Sequence, residues 1–396
     1  MNTEEIIEAD KKYFMNVFGD RTMVAEKGEG VYLYDKEGNQ YLDFSAGIAV
    51  NALGHNHPRV TKAIQDQAEN LLHASNIYYF EIQAKLSQLL VDNTCADKVF
   101  YANSGAEANE GALKLARKYF KKQGQDKYEI IATSESFHGR TLATLAATGQ
   151  EKYQKPFTPL PEGFSFVPYN DLAAVEEKIN DHTAAIMVEP IQGEGGVNPA
   201  SEEYLAGLRD LCDKHDILLI FDEVQTGMGR TGSLFAYQQY NIEPDIFTAA
   251  KALGNGVPVS ALLARGAVAN AFEPGDHAST FGGNPLACRA AYATLKTILE
   301  EDIISNVQQV GAYFKEELIK LQNKHDLILD VKGQGLMLGV EVDLDPQLIR
   351  EEMLEKNVLI LKAGKKVLRF VPPLIIETDH VDEVIKKLDQ VFLDMN

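Results

Sequence analysis

The chain has 396 residues, 45% apolar and 24% charged, a globular composition long enough for two or three domains of about 150 residues. Fifty-eight acidic against thirty-eight basic residues leave a formal charge of −20, which argues against nucleic acid or an anionic membrane as a partner. Three scattered cysteines, Cys95, Cys212 and Cys288, make neither a disulfide framework nor a zinc site. The start, Met1 to Glu8, lacks the basic and apolar regions of a signal peptide, and no apolar run approaches a membrane span. The expected location is cytoplasmic.

In chain order, Val31 to Leu42 reads as a hairpin turning at Glu37-Gly38-Asn39, expected to pack with the C-terminal portion. His55-Asn56-His57 precedes Pro58 and reads as a turn; no further His or Cys cluster completes a ligand set, so no metal is expected. From Val99 to Ala264 seven short apolar runs alternate with helical patterns: Val99–Tyr101, Ile130–Ala132, Phe164–Val167, Ala185–Val188, Leu218–Phe221, Ile246–Thr248 and Val259–Leu263. Several are unbroken apolar blocks, as for strands covered on both faces, and the predicted class is α/β with a mostly parallel seven-stranded sheet between helices. Beyond Asn284-Pro285, one long helical stretch from Leu286 to about Gln322 leads to a strand-like Leu336–Val342, the mark of a smaller α+β domain. The expected division is residues 1–45, packing with the small domain, 46–284 as the large domain and 285–396 as the small one.

Three strand ends carry polar side chains: Glu189, Asp222 and Lys251, spaced by 33 and 29 residues. Each interval is close to one βαβ unit, so all three emerge at the carboxyl edge of the sheet, where open α/β folds bind ligands. Taken singly, each is an ordinary solvated loop residue. Together they suit aldehyde chemistry: a lysine of lowered pKa forms a Schiff base with an aldehyde such as pyridoxal phosphate, and a carboxylate on the pyridine nitrogen keeps that ring electron-poor. Asn103-Ser104-Gly105-Ala106-Glu107 lies between a strand and a helix; its first-turn N–H groups form an anion site, and Gly105 permits close approach. Ser104 and Glu107 also read as a plain capping box, and an acid beside a phosphate is unexplained by the sequence. Gly227-Met228-Gly229-Arg230-Thr231-Gly232 formally matches G-x-G-x-x-G. It starts five residues after Asp222, and the next acid, Glu243, follows Gly232 by only 11 residues, so a mobile glycine-rich loop is expected instead of a dinucleotide site.

These segments resemble the class III, or subgroup II, pyridoxal-phosphate aminotransferases of fold type I, and among them the acetylornithine aminotransferase group of arginine biosynthesis. The resemblance spans nearly the whole chain, through Tyr41–Asn51, Gly54–Pro58, Ser104–Glu110, Phe137–Thr141, Glu189–Gly196, Asp222–Gly227, Lys251 and Thr280–Pro285. It implies Lys251 as the Schiff-base lysine, Asp222 on the pyridine nitrogen, Gln225 near the ring hydroxyl, and Phe137 and Val224 on the two ring faces. Ser104, Gly105 and Ala106 would take the phosphate, with Thr280 reaching the phosphate of a neighbouring subunit in an obligate homodimer. Glu189 joins Lys251 and Asp222 as catalytic.

For substrates the resemblance implies Arg140 on the α-carboxylate of N-acetylornithine, Arg369 on that of glutamate or 2-oxoglutarate, Glu194 masking Arg369 when an ω-amine is bound, and Ser279 at the substrate. Ornithine aminotransferases carry a tyrosine where this chain aligns Ile48, and an apolar residue there suits an acylated amine. The alternatives within the class are ornithine, succinyldiaminopimelate and 4-aminobutyrate aminotransferases and glutamate semialdehyde aminomutase. From other classes come an NAD(P)-dependent oxidoreductase and a non-catalytic binding protein, which would be expected to lack Lys251 or Asp222.

Overall fold

A computed structural model describes residues 1–19 and 21–395. The seven apolar runs form one sheet in the spatial order Lys98–Ala102, Ser260–Ala264, Ile246–Ala249, Leu218–Asp222, Thr183–Val188, Glu129–Thr133, Phe164–Val167. Ser260–Ala264 is antiparallel to both neighbours and every other pair is parallel. All residues of Thr183–Val188 and Leu218–Asp222 are buried.

Successive side chains on these strands point to opposite faces, so each strand feeds two cores. Ile186, Val188, Leu219 and Phe221 pack with Leu205, Leu208 and Cys212 of the helix Glu202–His215. Ala185, Met187, Leu218 and Ile220 pack with Ala112, Leu115 and Ala116 of the helix Gly105–Lys122. The first of these helices is capped by Ser201, with Glu202 and Glu203 in its first turn and Lys214 and His215 in its last, which matches the helix dipole at both ends.

The C-terminal part holds a second, antiparallel sheet in the order Ile328–Gln334, Met337–Val342, Val367–Phe370, Leu361–Ala363. A third sheet joins the chain's two ends: Ala25–Glu29, Tyr32–Asp35 and Gln40–Asp43 continue into Val358–Leu359, which runs parallel to Gln40–Asp43. The single long helix expected after Asn284 is two, Pro285–Glu300 and Ile303–Lys324, separated where Asp302 takes a left-handed φ of 51°.

The segment Gly227–Gly232, expected to be a mobile loop, is buried throughout. Its Arg230 is 1% exposed and donates through Nη1 to the carbonyls of Leu336 (2.9 Å) and Pro372 (2.5 Å), strapping the segment to the C-terminal sheet. Desolvation pushes the pKa of this guanidinium down to about 9.

Between Asp43 and Val50 the backbone turns left-handed over four consecutive residues, Ala46, Gly47, Ile48 and Ala49, with φ of 44°, 63°, 67° and 61°. Three are not glycine, and each costs roughly 1–2 kcal/mol in that conformation.

Phe247, 1% exposed, meets Phe235 and Tyr237 at ring-centroid distances of 5.1 and 5.2 Å. Phe247→Ala is expected to destabilise the fold by about 3–5 kcal/mol, read as a lowered midpoint in a denaturant titration; a midpoint equal to the wild type's would contradict this packing.

Candidate active site

The parallel strands Thr183–Val188, Leu218–Asp222 and Ile246–Ala249 lie side by side and end on one edge. Asp222 is the last residue of its strand, Glu189 follows directly on another, and Lys251 comes two residues after the third, at a φ of 41°. All three line one cavity of about 440 Å³, together with Ser104, Gly105, Ala106, Phe137, Arg140, Val224 and Gln225.

Asp222 is 4% exposed. Its Oδ2 accepts from Asn109 Nδ2 (2.8 Å) and lies 2.8 Å from His138 Nδ1, while Oδ1 accepts from the Val224 amide (3.0 Å). Asn109 is oriented in turn by Thr248, whose Oγ1 donates to Asn109 Oδ1 at 2.7 Å. Burial is the largest single influence and works against a charged His138, but the hydrogen bond and charge of Asp222 together with the charge of Glu189 outweigh it and raise the imidazole above its ordinary pKa. Sequence reasoning assigned no role to His138, Asn109 or Thr248. The available signal was Asn109 itself, an amide on the apolar face of a helix between Ala108 and Ala112, where a buried polar group requires partners.

Glu189 binds two loops, accepting from the backbone amides of Phe137 (2.9 Å) and Gly193 (3.1 Å). Desolvation pushes its pKa up to about 7, with His138 opposing and Asp222 adding to the rise. Lys251 is pushed below the ordinary lysine value, first by desolvation and then by Arg369, against the pull of Glu194. A lysine so placed is more readily neutral, hence more nucleophilic and more basic toward carbon acids.

Ser104 caps the helix Gly105–Lys122 through Oγ, which accepts from the Glu107 amide at 3.2 Å, and leaves the first-turn amides of Gly105 and Ala106 without intrahelical acceptors. A Cβ on Gly105 would lie 2.9 Å from Val224 Cγ1, so the narrow approach exists because the residue is glycine. Glu107 turns back toward the strand and accepts from Asn103 N (2.7 Å) and Nδ2 (2.8 Å), which engages its charge away from that anion cradle.

Arg369 and Glu194 do not line this cavity, yet they meet beside it. Arg369 Nη1 donates to Glu194 Oε1 (2.6 Å) and to Gln225 Oε1 (3.2 Å), while its Nε is buried without a hydrogen-bond partner among the described residues. Burial would raise the Glu194 carboxyl, but Arg369 and Lys251 outweigh it and hold it below the usual range. Arg140 is exposed at the cavity rim, its guanidinium 3.9 Å from the Tyr153 ring centroid and 5.3 Å from that of Phe137. Ser279 and Thr280 stand off the cavity: Ser279 Oγ accepts from Asn103 Nδ2 (3.3 Å) and from the Gly282 amide (2.9 Å), and Thr280 is exposed.

A family model described as aminotransferase class-III matches residues 15–392. The acetylornithine aminotransferase of Methanocaldococcus jannaschii is 51% identical over the whole length of both chains. Among solved structures, an ornithine aminotransferase from Toxoplasma gondii, described with partial occupancy of PLP at its active site, superposes with a TM-score of 0.95 at 34% identity, covering 99% of this chain and 95% of that one. An acetylornithine aminotransferase from Elizabethkingia anophelis gives a TM-score of 0.90 at 36% identity over 99% of both chains. An enclosed lysine, a buried carboxylate and an anion cradle on one cavity have the donor set that pyridoxal phosphate requires, and this chain belongs to the class-III aminotransferases, the transaminases that use that cofactor.

Proposed function

We propose that the chain is an acetylornithine aminotransferase, moving the ω-amino group of N2-acetyl-L-ornithine to 2-oxoglutarate to give N-acetyl-L-glutamate 5-semialdehyde and L-glutamate, a step of arginine biosynthesis. The observation that carries this reading is the closed Arg369–Glu194 pair, 2.6 Å apart beside Lys251. A donor whose reacting amine is remote from its carboxylate needs a neutral wall there, and a donor such as glutamate needs an open cation. One pair supplies both, by closing and by parting.

Bound pyridoxal phosphate supplies an electrophilic carbon for the amine and a ring that takes up the electron pair of the breaking C–H bond. Of the residues lining the cavity, Ser104 with the Gly105 and Ala106 amides would hold its phosphate, Phe137 and Val224 would lie against the ring, and Gln225 would serve the ring hydroxyl. Asp222, gripped by Asn109 and His138, would keep a proton on the pyridine nitrogen. Lys251 Nζ, less firmly protonated than an ordinary lysine because desolvation lowers its pKa, is the base placed to take the proton from the amine-bearing carbon of the donor. Glu189 ties the Phe137 loop, which lines the cavity, to the Gly193 loop through their backbone amides. Arg140 takes the carboxylate of the acetylated donor at the rim, and Arg369 takes that of glutamate once Glu194 leaves it, each with a planar guanidinium suited to a carboxylate.

The same reading includes a homodimer with Thr280 of the partner subunit on the phosphate. Two features support it: Thr280 is exposed and off its own cavity, and the segment beside it leaves Leu72, Ile77, Tyr78, Tyr79 and Phe281 exposed. Asn76 Nδ2 ties that segment to the Ser279 and Gly282 carbonyls, so patch and loop present one face for a second copy to cover. Three unpaired thiols, Cys95, Cys212 and Cys288, support a cytoplasmic location.

With 2-oxoglutarate as acceptor, N-acetylornithine is expected to give a higher kcat/KM than ornithine, 4-aminobutyrate or succinyldiaminopimelate in a donor panel, and Lys251→Ala to abolish turnover while a yellow holoprotein is obtained from the wild type. A panel led by another donor overturns the substrate assignment. Glu194→Ala, by leaving Arg369 permanently open, is expected to shift the ratio of kcat/KM values toward α-amino donors by about tenfold or more, the effect of about 1.4 kcal/mol. An unchanged ratio would argue that the pair is a fixed structural bridge.

A further inference from the structure

The left-handed turn Ala46–Ala49 is held from one point. Asp43, fully buried, accepts through Oδ1 from the Ser45 amide (2.9 Å), the Ser45 hydroxyl (2.6 Å) and the Ala46 amide (2.9 Å), while Oδ2 meets His55 Nε2 at 2.9 Å. Within the turn the Ser45 carbonyl takes both the Ile48 (2.9 Å) and Ala49 (3.0 Å) amides. His55 is itself fixed: its backbone exchanges hydrogen bonds with Gly30, and a Cβ on Gly28 would lie 2.6 Å from its ring, so glycine there admits the imidazole. On the far side, Ala49 is buried in a small apolar cluster with Ile191, Val197, Val367 and Val371.

The turn delivers two side chains in quick succession. Ile48 is left 45% exposed and Val50 lines the cavity wall with Lys251 and Gly256. In a right-handed or extended course these residues would point elsewhere, and alanine and isoleucine do not choose the left-handed region unaided. Such strain persists only where the surroundings over-determine it, and here the over-determining group is a buried carboxylate.

We propose that Asp43 is a positioning residue for the amine donor, holding the left-handed turn that sets Val50 in the wall of the cavity the donor enters and leaves Ile48 exposed two residues before it. The inference rests on the donor reading above only for the identity of that donor. Ala49 packs on Val367 and Val371 at the two ends of the Arg369 strand, but that strand is also held by its pairing to Met337–Val342, so the glutamate half-reaction depends less on the turn.

The test uses the holoenzyme in single-turnover half-reactions, followed by cofactor absorbance, with N-acetylornithine, ornithine and glutamate as separate donors. Asp43→Ala is expected to lower kcat/KM for N-acetylornithine by about tenfold or more, to narrow its advantage over ornithine, and to leave glutamate within about threefold. Asp43→Asn keeps an oxygen acceptor for the turn and is expected to stay near the wild type. Adding Ala46→Gly to Asp43→Ala is expected to recover the acetylornithine preference, because glycine enters the left-handed region without the clamp. Equal losses on all three donors, or a preference unchanged in Asp43→Ala, would overturn the proposal, as would a double variant that regains thermal stability without regaining preference. Should Asp43→Ala fail to accumulate as holoenzyme, Ala46→Gly with Asp43→Asn decides: a retained preference supports the clamp, and a lost one refutes it. If the wild type rejects N-acetylornithine and takes another ω-amine, the substrate reading fails by itself, and the clamp is judged on that donor against glutamate.

Discussion

The Asp222 carboxylate sits where an uncompensated ion would cost several kcal/mol, and the way the fold offsets that cost orders the whole cavity. Two side chains and one amide converge on it from three different elements: Asn109 from the helix after the anion cradle, His138 from the loop carrying Phe137, and Val224 from its own strand end. Each contact therefore fixes more than the acid. The Asn109 bond registers the helix whose first turn is the cradle, and the His138 bond registers the loop that brings Phe137 and Arg140 to the cavity. The anion cradle, the Phe137 loop and the acid itself are kept in mutual position by one buried carboxylate and its hydrogen bonds.

Charges on the other side of the cavity are balanced differently. Glu194 and Arg369 satisfy one another, and that leaves Lys251 under the opposed influence of a cation and an anion, with desolvation as the largest effect on it. Desolvation therefore favours the neutral form of the lysine more than it would be favoured in water. The buried Nε of Arg369 has no partner among the described residues, so the guanidinium is not saturated by Glu194 and retains donor capacity for a further carboxylate.

Much of this was legible in the sequence because it rests on rules with short range. Seven unbroken apolar runs announced strands covered on both faces, and the spacing of Glu189, Asp222 and Lys251 announced a common edge. What escaped depends on partners distant in sequence. His138 and Asn109 matter because Asp222 lies 84 and 113 residues away along the chain, and no local pattern carries that pairing. Gly227–Gly232 looked mobile from its glycines, yet Arg230 ties it to carbonyls 106 and 142 residues further on. The long helix after Asn284 broke at Asp302, a residue that tolerates the left-handed region better than most, so composition alone gave only a faint sign.

Two segments, one lining the cavity and one leading into its wall at Val50, solve the same steric problem by opposite means. At Gly105 the chain needs room, and absence of a side chain provides it: any Cβ would press on Val224. At Ala46–Ala49 the chain needs direction, and glycine would supply the conformation cheaply but at three of the four positions the side chains are retained. Ala49 explains why, since its methyl is packed in the cluster between the Glu194 loop and the Arg369 strand, and a glycine there would surrender that contact. The strain of the turn is therefore held in place from outside by Asp43 and His55, and the cost of burying the Asp43 carboxylate is met by the three donors of the turn and the imidazole it constrains. Strain and buried charge, each unfavourable alone, are mutually stabilising, which is why neither is visible in a reading that scores residues one at a time.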